Sequence, residues 1–294
     1  MPLGVTSKPD LTAVGAAFGR ASHVFLDDPP FVLEDSVSIS LADADVLRAV
    51  HLLTDDGRLK VTRDDPSAMW RGSFVGRARF VEDCVAERAR AGVNQYVILG
   101  AGLDTFAQRR ADLMSRVRVF EVDEPATQGW KRARLRATGL DIPPNLHFVP
   151  LDFETGASWV EAITASGFDR ARPTIVASTG VTQYIGSDAL SSTLRDAAGL
   201  SPGTTFVSSF VLPADRIDPG ERELRRATEE RAAARGAPWI SFYTPEDIVG
   251  MARAAGFDNV HHVSREELND RYFSARADGL RAPSGEQLIV AVRN

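Results

Sequence analysis

Apolar and polar positions along this chain come in blocks. Short apolar runs at Tyr96–Leu99, Arg118–Val122, Leu146–Leu151, Thr174–Ser178 and Thr204–Val211 are separated by stretches whose apolar residues recur at helical spacing. The first such stretch, Phe74 to Arg90, carries Phe74, Val75, Phe80, Val81, Val85 and Ala86 on one face. Further helices are expected from Pro125 to about Thr138, near Ala157–Ser166 and over Ser187–Ala198, with Pro125 suited to a first helical turn. Strands alternating with helices of this length predict an α/β protein, with a parallel sheet covered by helices on both faces. Pro213 to Gly220 breaks the pattern, and Glu221–Arg235 reads as a charged helix with a solvated face. The aromatic connection from Pro238 to Tyr243 leads to a helix over Pro245–Ala255. A strand from Phe257 through Val263 and a last strand over Gln287–Val292 follow. Residues 1 to about 70 lack this alternation. Thr12–Ser22 and Leu41–Leu53 read as helices, with turn signals at 55–57 and 63–66, so residues 1–70 form a helical cap on a core of residues 71–294.

Composition narrows the classes of function. With 44% hydrophobic residues in 294 the chain can bury a full core, and a formal charge of -6 with no basic stripe argues against a nucleic-acid partner. Cys84 is the single cysteine, which leaves no disulfide framework and no thiol metal site. No metal site is expected, since His261 and His262 fall on the penultimate strand at the sheet edge. No apolar run approaches a membrane span, and the first ten residues do not read as a leader, so a cytoplasmic protein with no membrane partner is the expectation. Lysine occurs only at Lys8, Lys60 and Lys131, which excludes a Tyr-x-x-x-Lys pair at Tyr184, where position 188 is Asp.

Candidate chemistry gathers where strands end. The run Tyr96–Leu99 breaks at Gly100, Ala101 and Gly102, and Asp104 opens a helix, the arrangement in which α/β proteins hold nucleotide-like ligands. Asp123 ends the next strand about twenty residues on, the spacing at which a carboxylate reaches a ribose hydroxyl pair. A dinucleotide fingerprint would place a third glycine at Thr105, and a carboxylate at Asp104 would repel a pyrophosphate. A ligand with a ribose, an ammonium and a sulfonium but no phosphate fits better, and S-adenosylmethionine (SAM) is such a ligand. Asp104 also suits a helix N-cap. Asp152, at the end of the third strand, is placed to accept from the adenine amino group with Phe153 against the ring, or to cap its own loop. Thr179 and Gly180 lie at the end of the fourth strand. Of Arg71, Arg77 and Arg79, any one at the sheet's ligand edge would clamp SAM's carboxylate in bidentate fashion, although most arginines are solvated.

These residues resemble the leucine carboxyl methyltransferase family, particularly its bacterial SAM-dependent branch. The resemblance rests on Leu99-Gly-Ala-Gly-Leu-Asp-Thr105, Phe120-Glu-Val-Asp-Glu-Pro125 with Lys131, Leu151-Asp-Phe153, Gly180-Val-Thr-Gln-Tyr-Ile185, Ala255-Gly-Phe257 and Leu268-Asn-Asp-Arg-Tyr272. Thr12-Ala13 and Phe74-Val-Gly-Arg77 also look like the family's N-terminal signals. It implies a Rossmann-like class I methyltransferase sheet of seven strands, the last antiparallel. It also implies Arg77 at the cofactor's carboxylate, Gly100, Ala101, Gly102 and Asp104 around the methionine part, Asp123 at the ribose, and Asp152 with Phe153 at the adenine. The family usually has a glutamate where this chain has Thr179, and a common aromatic residue where it has Gln108. The expected activity is O-methylation of a small-molecule carboxyl or hydroxyl group, in specialised metabolism, with the insertion around 213–243 helping to form the acceptor pocket. No catalytic base is assignable; Tyr184 either orients an acceptor or packs. A non-catalytic SAM-binding protein and a nicotinamide-dependent oxidoreductase are the competing readings.

Overall fold

The computed structural model describes residues 9–49, 52, 54, 56–58, 60–63, 65, 68–153 and 156–294. Helix α1 (Leu11–Leu26) is followed by a short 3₁₀ turn and α2 (Ala44–Ala49), then by the long α3 (Ala68–Arg90). The core alternates β1 (Gln95–Leu99), α4 (Phe106–Arg109), α5 (Ala111–Met114), β2 (Arg118–Asp123), α6 (Pro125–Ala137), β3 (Leu146–Pro150), α7 (Trp159–Ala165), β4 (Ile175–Ser178), α8 (Ser187–Ala198) and β5 (Thr205–Val211). It closes with α9 (Arg222–Ala234), α10 (Pro245–Ala255), β6 (Asn259–Val263), α11 (Arg265–Tyr272) and β7 (Glu286–Val292).

Among the described residues the strands form one seven-stranded sheet in the order β3-β2-β1-β4-β5-β7-β6. The first five are parallel, and β7 runs antiparallel between β5 and β6, as the family resemblance implied. Every residue of β1, β4 and β5 is buried, because helices cover both faces. At the edge, β6 alternates exposed and covered positions, which fits His261 and His262 in a half-solvated strand. One face of the sheet packs with α3, α11 and the α4–α5 segment, the other with α7, α8 and α10. Cys84 belongs to the first of these layers, and burial pushes its thiol up to about 12, so it serves as a packing residue.

Three local features depart from the sequence expectation. The helix expected over Leu41–Leu53 is broken: Asp43 accepts from the Val46 amide (2.8 Å) and starts α2 afresh, and residues 50, 51 and 53 lie outside the described residues. The segment after Asp104 is two short helices rather than one, interrupted at Arg110. Helix α11 was not expected, because only Leu268 on it is buried and it carries no apolar stripe. Its signal is the capping sequence Ser264-x-x-Glu267, in which the Glu267 amide donates to Ser264 Oγ at 3.2 Å.

The N-terminal elements lie directly on the core's ligand edge. Asp10 caps α1 by accepting from the Thr12 amide (2.8 Å), and the Asp10 amide donates to Thr127 Oγ1 (3.2 Å). At the other end of α1, Arg71 of α3 grips Asp27 through two nitrogens (2.8 and 3.1 Å). The Val32 amide donates to His23 Nε2 (3.0 Å), which leaves His23 Nδ1 to donate to Asp27 (2.9 Å). Burial acts to raise the Asp27 carboxyl, but His23 and Arg71 outweigh it and hold it at about 2.

Candidate functional site

The site begins where β1 runs out of side chains. Gly100 (φ +68°) and Gly102 (φ +50°) are left-handed, and the chain presses close at both. A Cβ on Gly100 would stand 2.5 Å from the Val181 side chain, and one on Gly102 2.9 Å from Ala13 of α1. Glycine is therefore required for backbone geometry and for space. The turn is tied to β2: the Gly100 and Ala101 amides donate to the Val122 carbonyl at 2.9 and 3.2 Å. The Gly102 amide donates to Asp123 Oδ2 at 2.5 Å, and the Glu124 amide donates to Oδ1 at 2.8 Å. Burial raises the Asp123 carboxyl, and these two amide donors oppose that rise.

Thr105, at the position of the missing third glycine, is fully buried and has a job of its own. Its hydroxyl donates to Asp35 Oδ2 at 2.7 Å, and Arg109 Nε donates back to it at 2.9 Å. Arg20 of α1 completes the cluster, with Nε 2.8 Å from Asp35 and Nη2 donating to the Leu103 carbonyl at 2.7 Å. Burial would raise the Asp35 carboxyl, and Arg20 and Arg109 reverse this and hold it below the ordinary range. The N-cap of α4 is Thr105 rather than Asp104; Asp104 Oδ1 accepts from the Phe106 amide at 2.7 Å in an Asx-type turn one residue earlier, and the residue also borders the cavity.

At the end of β4, the Gly180 amide donates to Ser209 Oγ at 2.7 Å. Gly180 is also left-handed, and Arg77 Nη2 lies 2.6 Å from where its Cβ would stand. Of the three arginines expected near this edge, Arg79 pairs with Asp83 (2.9 Å) away from the cavity, while Arg71, held by Asp27, and Arg77 both border the cavity, and Arg77 is the one packed against Gly180 at the end of β4. Arg77 is already paired, through Nη1, with Glu286 Oε1 at 2.5 Å. Glu286 accepts from Ser73 as well; burial acts to raise its carboxyl, but Arg77 and the hydroxyls of Ser73 and Ser209 hold it below the ordinary range. Sequence reasoning missed Glu286 because only the antiparallel insertion of β7 beside β5 brings it to this loop.

These elements surround one cavity of about 2010 Å³, well beyond the roughly 300–1,000 Å³ of a typical small-ligand pocket. Gly100, Ala101, Gly102, Asp104, Asp123, Phe153, Thr179 and Arg77 all border it. Asp152 does not: it is half-buried beyond β3, and only its neighbour Phe153 reaches the wall. The opposite wall comes from Tyr184, from α9 and from the 235–240 segment. Helix α9 has the solvated face expected of it, and on its other side Arg225 and Ala232 are buried against the cavity. Tyr184 accepts from Trp239 Nε1 at 3.2 Å, and burial raises its hydroxyl above the ordinary tyrosine range. Among the described residues the cavity wall includes no histidine, lysine or cysteine, and no cluster of metal-ligating side chains occurs.

Known proteins share this architecture. A structure from Thermobifida fusca superposes over 100% of this chain and 98% of its own with a TM-score of 0.57 at 19% identity, and one from Streptomyces avermitilis over 79% and 89% with a TM-score of 0.56 at 20% identity. At such identities they show the fold. By sequence, YktD of Bacillus subtilis is 28% identical over 98% of this chain and 99% of its own length. A protein of Mycolicibacterium gilvum is 33% identical over 98% of this chain and 94% of its own. Both carry names for S-adenosyl-L-methionine-dependent methyltransferases. The family model for leucine carboxyl methyltransferase matches residues 13–198, a span that takes in α1, the glycine turn, Asp123 and the β4 loop, and the chain belongs to that family.

Proposed function

We propose that this family member is a SAM-dependent methyltransferase that delivers the methyl group to a carboxyl or hydroxyl oxygen of a small molecule. The observation that carries the reading is the joining of Gly102 to Asp123 at adjacent strand ends, at the rim of a cavity larger than a nucleoside fills. The donor set suits SAM. Asp123 has lone pairs left for the ribose hydroxyls, Phe153 offers a ring face to the adenine, and the amides and small side chains of Gly100, Ala101, Gly102 and Thr179 border the methionine part. Arg77 reaches the amino-acid end, its charge shared between Glu286 and the cofactor's carboxylate. Asp104 adds a second acid near the sulfonium end, and Asp152 acts behind Phe153 rather than at the wall.

SAM supplies an activated methyl group on a sulfonium. The chain's own part would be to align an acceptor oxygen in line with that methyl group and to exclude water from the cavity, with Arg77, Asp123 and Phe153 holding the cofactor. A wall without histidine or lysine among its described residues suits an acceptor that arrives ionised, which favours a carboxylate and needs no general base. Residues 213–243 provide the acceptor side, and α1, in the described part of the N-terminal region, covers the cofactor side. The nicotinamide reading falls with the family assignment and with the engagement of Thr105 by Asp35.

The test is incubation with methyl-labelled SAM and a set of carboxylic acids and phenols. Label that enters an acid and is released as methanol in base identifies a methyl ester; base-stable label identifies an ether. SAM binding without transfer to any oxygen contradicts the catalytic reading and favours the non-catalytic one.

A further inference from the structure

Arg225 is the unusual residue of the outer half. It lies in α9, where Arg222, Glu223, Arg226, Glu230 and Arg231 are exposed, yet it is only 2% exposed. Its guanidinium carbon stands 4.5 Å from the centre of the Trp239 ring and 5.1 Å from that of Phe242. Nε is 2.6 Å from Glu229 and Nη2 makes a long 3.4 Å bond to the Leu212 carbonyl. Nη1 has no hydrogen-bond partner among the described residues. A buried cationic N–H left unmade is costly, and such groups in native proteins call for an explanation.

The same wall holds a second unpartnered donor. Trp70 Nε1 is buried without a partner among the described residues, and the Trp70 ring meets Trp239 edge to face, with 6.2 Å between ring centres. Trp239 is therefore in contact with both residues that carry the idle donors, and Arg225, Trp70 and Trp239 all border the cavity. Next to them Ile240 is 57% exposed, a large apolar side chain left open beside the cavity. Two donors without acceptors, set in aromatic walls, describe a receptor for a flat apolar molecule ending in an anion.

We propose that Arg225, assisted by Trp70, binds a carboxylate of the methyl acceptor, and that the acceptor is an aromatic or similarly flat organic acid. This deepens the methyltransferase reading and rests on it. Arg225 holds the acceptor and takes no part in breaking or making bonds. Its pairing with Glu229 and the aromatic rings fixes the guanidinium while leaving Nη1 for the ligand, and a second acceptor oxygen is within the capacity of Trp70.

The test titrates protein saturated with S-adenosylhomocysteine (SAH) with benzoate, 2-naphthoate and 4-phenylbutyrate and with the primary amide of each, by calorimetry. At least one acid is expected to bind roughly tenfold or more tightly than its amide, as a charged hydrogen bond implies. Arg225→Gln removes that preference and Arg225→Lys retains part of it. Trp70→Phe, which keeps an aromatic ring against Trp239 but deletes the N–H and trims the indole to a single ring, weakens the acid more than its amide and keeps the claim testable should the arginine variants fail to fold. If no acid is preferred over its amide by the wild-type protein, or if the preference survives Arg225→Gln, the proposal is overturned. Failure of SAH itself to bind would instead strike at the methyltransferase reading and remove the acceptor claim with it.

Discussion

The two halves of the cavity are built on opposite principles. Around the glycine turn and the end of β4 four donors are satisfied within the protein: the Gly102 amide by Asp123, the Phe106 amide by Asp104, the Gly180 amide by Ser209 and the Thr105 hydroxyl by Asp35. Around α9 and the aromatic connection, Arg225 Nη1, Trp70 Nε1 and Gln183 Oε1 are all buried without partners among the described residues, and Ile240 is open. A satisfied loop is rigid and presents a fixed shape to one ligand, whereas idle donors and open apolar surface wait for a second. Under the proposed reading, the contrast teaches that the cofactor would meet a shape set by backbone geometry and the acceptor would meet unspent side-chain capacity.

Substitutions on the satisfied side should have the largest effects. Gly100→Val combines a left-handed backbone with a contact 2.5 Å from Val181. It should cost about 3 kcal/mol or more and reduce SAH affinity more than a hundredfold, measured by equilibrium dialysis. Asp123→Ala should weaken SAH binding by about 1.5–3 kcal/mol, since it removes a charged acceptor and frees the Gly102 amide; unchanged affinity would mean that this carboxylate is not a cofactor ligand. Acid should loosen the α1–α3 attachment next. The folded Asp27 carboxyl titrates at about 2 against an ordinary 3.8, so its ionised form stabilises the fold above pH 3.8. That contribution, about 2 kcal/mol, should disappear as pH falls through 2, visible in urea midpoints and absent in Asp27→Asn. The smallest effect belongs to the solvated face of α9. Arg226→Ala, which breaks an exposed pair with Glu230, should shift stability by under about 0.5 kcal/mol and leave binding untouched, in contrast to its buried neighbour Arg225.

Much of the glycine-turn side of the cavity was legible in the sequence because its signals are local. A buried run ending in glycines, a carboxylate at the next strand end and proline at the start of α6 each declare themselves within a few residues, and α8 and α10 begin and end where their sequences say. What escaped depends on distant partners. Glu286 faces Arg77 only because β7 is inserted next to β5, so the acid next to the Thr179 loop comes from the end of the chain. Arg225 sits in a run of charges that reads as solvated, and only the fold over it of Trp239 and Phe242 reveals its burial. At the end of β3 it is Phe153 that borders the cavity, while the strand-end carboxylate Asp152, which the sequence singled out beside it, is half-buried next to the wall.

The most direct measurement is a structure of the protein with SAH. The account predicts the ribose hydroxyls on Asp123, the adenine against Phe153, the amino-acid end at Arg77, and the sulfur turned toward the space bordered by Tyr184 and Trp239. SAH bound away from the Gly100–Gly102 turn, or with its adenine beside Trp239 and Arg225, would contradict the division of the cavity into a cofactor half and an acceptor half.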